Sequence, residues 1–224
     1  MERLAHLNAR IARAAEAAGR PEQCVRLLAV SKKQPLDRIE ALIAAGQRRF
    51  GENYVDEALA KMDVLKNYPL EWHFIGPIQS NKTRHLAERF DWVQTVDRSK
   101  IVRRLDQQRP SGSPPLNVLL QVNLDGEQQK AGCAPEQIDA LAAAVDAAPS
   151  LRLRGLMAIP ALRDDRAAQI AVFNRLHALY QDLADRYPDI DTLSAGMSGD
   201  LEAAIAAGST MVRVGTDLFG PRPD

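Results

Sequence analysis

Short apolar runs of strand character alternate with helix-patterned segments along almost the whole of this 224-residue chain, and no other feature restricts the fold as much. The runs are RLLAVS (26–31), RRFGE (48–52), EWHFIG (71–76), DWVQTV (91–96), LNVLLQVN (116–123), LRLRGLMAI (151–159), DTLSAG (191–196) and TMVRVG (210–215). Between them lie amphipathic stretches such as PLDRIEALIAAG (35–46) and the long segment 164–186. A repeat of about 25 residues per strand–helix unit implies parallel pairing, because a parallel neighbour is reached only through a crossover. Eight units in roughly 200 residues predict a single closed (β/α)8 TIM barrel over 1–224. An open doubly wound sheet is the second reading, but it would show a GxGxxG turn after an early strand, and none is present.

EALIAAGQRRFG (40–51) and EAAIAAGSTMVRVG (202–215) echo one another: an alanine-rich helix, a glycine stop, then a strand that ends in glycine. The cluster RPSGSPP (109–115) is a loop, too short to link two domains. The N-terminal stretch MERLAHLNARIARAAEAAGR resembles a transit peptide in its alanine and arginine content. It carries Glu2 and Glu16, has no serine and runs into Gly-Arg-Pro, so an extra first helix is expected.

The formal net charge is zero and aromatic residues are 5% of the chain. That pattern argues against a broad nucleic-acid surface or a stacking platform for single strands. No apolar run approaches the ~20 residues of a membrane span. Cys24 and Cys133 lack metal-ligand or CxxC spacing and read as free thiols of a reducing compartment. A cytoplasmic protein without nucleic-acid or membrane partners is expected. His6, His73, His85 and His177 have no metal-ligand spacing and read as packing or surface residues.

In a (β/α)8 barrel the chemistry gathers where strands end. After the seventh run, GMSGDLEAAIAAG (196–208) places a glycine-bearing turn before a helix, with Ser198 as the expected N-cap. Unpaired N–H groups at a helix start attract anions. After the eighth, RVGTDLFG (213–220) offers Gly215 for close backbone approach and a hydroxyl on Thr216. The two together predict a phosphate site. The first run ends in Ser31-Lys32-Lys33. Strand alternation puts one lysine into the barrel mouth, where lost hydration favours the neutral amine. A neutral amine attacks an aldehyde to form a Schiff base, and pyridoxal 5′-phosphate is an aldehyde bearing a phosphate. Spacing alone leaves Lys32 and Lys33 open. Arg213, two residues before Gly215, faces the same way and could meet the pyridine nitrogen, or could sit in a surface ion pair.

LLAVSKKQP, FGENYVDEA, EWHFIGPIQSNK, RGLMAIP and LSAGMSGDLEAAIAAGSTMVRVGT, with the FG at 219–220, span residues 27–220. With these motifs the chain resembles the pyridoxal phosphate homeostasis proteins, and through them the barrel domain of alanine racemase, fold type III. The resemblance implies that Lys32 carries the Schiff base. It implies that Ser198, Gly215 and Thr216 hold phosphate, that Arg213 faces the pyridine nitrogen, and that Asn53 and Met157 line the ring. It implies that Ser194 and Met197 belong to the same shell. Lys130 matches a lysine found in relatives and is expected near the site entrance, though it reads equally as a solvated loop residue.

Alanine racemase has a second domain that supplies a tyrosine base, whereas nine residues follow Gly215 here. The resemblance therefore implies a monomeric carrier or regulator of free cofactor, with pyridoxal phosphate-dependent apo-enzymes as candidate recipients, and no efficient turnover. The alternatives are an amino-acid racemase or decarboxylase of the same cofactor class, with Tyr54 as a remote candidate base, and a cofactor-free lysine aldolase on sugar phosphates.

Overall fold

The computed structural model describes residues 2–127, 131–161 and 163–220. Lys130, named above as a candidate near the site entrance, lies outside the described residues. The chain runs α1 (Glu2–Ala17), β1 (Arg26–Val30), α2 (Leu36–Ala44), β2 (Arg49–Glu52), α3 (Val55–Val64), β3 (Glu71–Phe74), α4 (Thr83–Arg89), β4 (Trp92–Val96) and α5 (Ser99–Gln108). It continues β5 (Leu116–Gln121), α6 (Ile138–Asp146), β6 (Leu151–Met157), α7 (Arg166–Ala184), β7 (Thr192–Ser194), α8 (Leu201–Ala206), β8 (Met211–Val214) and α9 (Thr216–Phe219). Single 3-10 turns precede α4 and α6.

The strands close into a parallel barrel in chain order, with β8 returning to β1 through Leu28↔Arg213 and Ala29↔Val214. This is the (β/α)8 architecture expected from the alternation. Strand ends differ from the sequence expectation. β1 stops at Val30 and turns at once, because the Gln34 N–H bonds back to the Ser31 carbonyl at 3.0 Å. β6 ends at Met157, β7 spans only Thr192–Ser194, and the short helix α9 carried no sequence signal.

Two shells of side chains hold the barrel. Outward-facing Leu27, Ala29, Phe50, Phe74 and Val212 join the helices in one continuous apolar layer. Parallel strands covered on both faces read as near-continuous apolar runs, which is why the strands were visible in the sequence. Inside the barrel the packing is of a different kind. Leu28, Ile75 and Met211 form one small cluster, and Trp92, Leu119 and Met157 another. His73, Gln94, Ser194 and Arg213 are also fully or almost fully buried. Trp92 stacks on the His73 ring at 5.1 Å, with the Arg154 guanidinium 4.8 Å from its own ring.

Helix α1 is the extra N-terminal helix. Leu4, Leu7, Ile11 and Ala15 recur at helical spacing and are all buried, so one face of α1 packs down, against α8 and α9. That places α1 directly behind the segments that follow β7 and β8.

Candidate functional site

The side chains of Leu28 and Val30 pack together with Ile75 and Met211 inside the barrel. Lys32 follows two residues later. It is half-buried and lines a cavity of about 220 Å³ at the mouth, together with Met197, Ser198, Gly199, Arg213 and Gly215. Thr216 borders the same cavity. Lys33 does not reach it. Lys33 is exposed, adopts φ +58°, and gives its backbone N–H to Glu57 Oε1 at 2.6 Å. The structure thus distinguishes two lysines that strand alternation left open, and does so through the turn that ends β1.

Arg213 comes from β8 and is buried, with its guanidinium at the inner wall of the cavity. Nη1 donates to the Ser194 hydroxyl and Nη2 to the Ala158 carbonyl, each at 2.8 Å. Loss of hydration on burial lowers its pKa to about 10, with the Asp200 charge opposing. It remains a cation at neutral pH and can only donate. The surface ion pair considered from the sequence is not formed: among the described residues no carboxylate lies in contact with it.

Behind Arg213 a polar chain crosses the barrel. The Ser194 hydroxyl donates to Gln94 Oε1 at 2.7 Å. Gln94 Nε2 meets His73 Nδ1 at 2.8 Å, and His73 Nε2 meets Glu71 Oε1 at 2.8 Å. An amide N–H facing Nδ1 makes that nitrogen the acceptor, so Nε2 carries the proton and donates to the Glu71 carboxylate. Burial pushes the His73 pKa down, which keeps the ring neutral despite the nearby Glu71. Every donor direction along the chain is then fixed, from the arginine to the carboxylate. His73 is buried, as the sequence suggested, but it is also a link in this chain. Gln94 carried no sequence signature, because its partners are 21 and 100 residues away.

The turn after β7 corrects one expectation. Ser198 is not the N-cap of the following helix. Asp200 holds that position, and its Oδ1 accepts the Met197 N–H at 2.6 Å. The intervening turn displaces Ser198 from the helix start and puts it on the cavity wall. Gly215 is also closely approached within the fold: a Cβ there would stand 3.2 Å from the Val30 carbonyl oxygen. The segments after β7 and β8 are joined from behind by Arg10 of α1. Its guanidinium bonds both Glu202 oxygens at 2.5 and 2.8 Å, Asp217 at 2.7 Å, and the Ser198 carbonyl at 2.9 Å.

The remaining predicted residues lie elsewhere. Ser194 is one hydrogen bond behind the cavity, as described. Met157 is wholly buried in the barrel against Trp92 and Leu119. Asn53 borders a neighbouring cavity of about 260 Å³ with Tyr54, Phe74 and Lys82, and its Oδ1 is buried without a partner. Its backbone is held against the end of β3, where a Cβ on Gly76 would stand 2.2 Å from the Asn53 carbonyl oxygen. Neither Asn53 nor Met157 borders the Lys32 cavity.

Among the described residues no group of three or more His, Cys, Asp or Glu could hold a metal. Cys24 and Cys133 are free thiols, and burial pushes the Cys133 pKa up to about 11.

Residues 3–223 match the family model of the alanine racemase N-terminal domain. The pyridoxal phosphate homeostasis protein of Pseudomonas aeruginosa is 59% identical over 221 residues, 99% of this chain and 95% of that protein. The chain belongs to the pyridoxal phosphate homeostasis proteins of the alanine racemase N-terminal domain family. The homeostasis protein of Escherichia coli is 52% identical over 222 residues, 98% of this chain and 95% of that one. Among solved structures, Synechococcus elongatus PipY with pyridoxal phosphate bound superposes with TM-score 0.82 at 37% identity, covering 94% of this chain and 100% of PipY. Alanine racemase of Corynebacterium glutamicum shares the fold at TM-score 0.69 and 20% identity, with 98% of this chain on 61% of the racemase.

Proposed function

We propose that this chain binds pyridoxal 5′-phosphate in the Lys32 cavity and acts in the homeostasis of that cofactor. The observation that carries the proposal is the set of groups meeting there: one primary amine, one donor-only cation in the inner wall, and two hydroxyl-bearing turns. These suit the three polar features of the molecule. Its aldehyde condenses reversibly with a primary amine, releasing water. Lys32 supplies the amine. Arg213 offers an N–H to the pyridine nitrogen, and because it does not give up its proton that nitrogen remains an acceptor. Ser198, Thr216 and the backbone around Gly199 and Gly215 supply donors to the phosphate. At Gly199 a Cβ would meet nothing within 4 Å, so that turn is open to a ligand. Met197 supplies apolar wall. Asn53 and Met157, which do not border this cavity, are the further candidates for contact with the ring.

The same cavity favours holding over turnover. Inverting an amino-acid carbon needs a proton acceptor on each face. Among the described lining residues, Lys32 and Arg213 are the only side chains that titrate, and Arg213 stays protonated. Tyr54 borders the neighbouring cavity. The chain is accordingly read as a carrier or regulator, a single domain over 1–224, monomeric and cytoplasmic, that gives its cofactor up to apo-enzymes. No helix of the described residues is long and apolar enough to cross a membrane. A titration of the protein with pyridoxal phosphate, followed by incubation with single-enantiomer amino acids, tests this reading. Saturable visible absorbance without change in amino-acid chirality is expected. Racemisation at enzyme-like rates would support the racemase reading, and an absence of any visible band would remove the cofactor.

A further inference from the structure

Lys33 is the one non-glycine residue among those described with φ in the left-handed region. It stands directly after Lys32. The Gln34 N–H bonds to the Ser31 carbonyl, so Lys32 and Lys33 are the two central residues of a tight turn. A positive φ at the second central residue is where glycine or asparagine usually serves. A lysine stays there only if its surroundings hold it.

What holds it lies behind the barrel wall. Lys61 of α3 is buried, and its Nζ touches the Ser31 carbonyl at 2.7 Å, Glu52 Oε1 at 2.8 Å and Glu57 Oε1 at 2.6 Å. Glu52 Oε1 also accepts from the Ser31 hydroxyl at 2.7 Å. Glu57 Oε1 also accepts the Lys33 N–H. The Ser31 carbonyl and hydroxyl and the Lys33 N–H, on either side of Lys32, thus end on one cluster of two carboxylates and an ammonium. None of the three borders the Lys32 cavity. A buried ion pair often adds no more to stability than a well-packed apolar pair of the same volume, so stability alone is weak ground for charges here. An apolar pair could not bind the Ser31 carbonyl or the Lys33 N–H. Glu52 Oε2 is itself buried without a partner, a cost the fold carries at this position.

We propose that Glu52, Glu57 and Lys61 are positioning residues for Lys32: they hold the strained turn that points its amine into the cavity. The proposal rests on the reading of Lys32 as the amine that meets the cofactor aldehyde.

The test uses Glu57→Ala, which removes the Lys33 tether and leaves the Lys61–Glu52 pair in place, with Lys61→Met as a second, deeper variant. Two quantities are measured: Lys33 amide hydrogen exchange in the ligand-free protein, and the apparent Kd for pyridoxal phosphate by visible absorbance. Lys33 exchange is expected to accelerate and the Kd to rise by about tenfold in Glu57→Ala. Adding Lys33→Gly is expected to recover most of the affinity, because glycine adopts the positive φ without a tether. A merely structural role would not be rescued by glycine at that one position. Wild-type affinity in Glu57→Ala, or a loss that Lys33→Gly leaves untouched, overturns the clamp while Lys32 binding stands. An unchanged visible band and Kd in the single variant Lys32→Ala overturns the underlying reading, and the clamp with it.

Discussion

The guanidinium of Arg213 donates to the hydroxyl of Ser194 at 2.8 Å, and that hydroxyl in turn donates a hydrogen bond to Gln94 Oε1. A cation at the inner wall of the cavity is thereby oriented from inside the barrel, by a hydroxyl and a carbonyl oxygen in direct contact and not by a carboxylate. Ser194→Ala leaves a buried N–H of Arg213 and the Gln94 oxygen without partners. The expected cost is about 1–3 kcal/mol, measured by urea unfolding. Gln94→Leu breaks the same chain one link further on. Because the two residues share a bond, the double variant is expected to lose less than the sum of the single losses.

The neutral state of His73 predicts an acid-sensitive stability. Its folded pKa is held below the ordinary histidine value by burial. Above about pH 6.5 the imidazole is neutral in both states and the native protein has its full stability. As pH falls below that, the unfolded chain takes up a proton that the native chain refuses, and stability drops toward the folded pKa. The slope reaches about 1.4 kcal/mol per pH unit for one such group. His177, also lowered by burial, adds to the same trend. His73→Gln is expected to flatten the profile between about pH 6.5 and 5, read from unfolding midpoints.

Arg10 joins α1 to both segments that border the proposed phosphate region. Arg10→Ala removes its bonds to Glu202, Asp217 and the Ser198 carbonyl. The ion pairs are partly exposed, so the expected loss of stability is modest, about 1–2 kcal/mol. The affinity for pyridoxal phosphate is expected to fall while that for pyridoxal, which lacks the phosphate, stays unchanged. Equal losses for both ligands would show that Arg10 acts on the fold alone.

Gly76→Ala sets a Cβ against the Asn53 carbonyl, backbone against backbone, where neither side can give way cheaply. Destabilisation of about 1–3 kcal/mol is expected by thermal or urea unfolding, together with a shift of Asn53 and Tyr54 visible in their amide resonances.

The barrel was legible because its strands are buried on both faces and separated by helices, a pattern that survives small errors at strand ends. That Ser198, Gly215, Thr216 and Arg213 come together at one cavity could be read from their places at the ends of the last two strands. The choice between Lys32 and Lys33 was not, since alternation presumes a strand and β1 ends at Val30. The chain from Arg213 to Glu71 was hidden for a different reason. Its members sit on β3, β4, β7 and β8, and only closure of the barrel brings them together. Ser198 was misplaced as an N-cap because the sequence gives no sign of the Met197–Asp200 turn that precedes α8.

In the proposed function the Lys32 amine is the group that takes the cofactor aldehyde. Borohydride reduction of the protein loaded with pyridoxal phosphate, followed by peptide mass mapping, tests it most directly. A pyridoxyl label on Lys32 alone is expected, lost in Lys32→Ala together with the visible band. A label on Lys33, or an undiminished label elsewhere in Lys32→Ala, would contradict it.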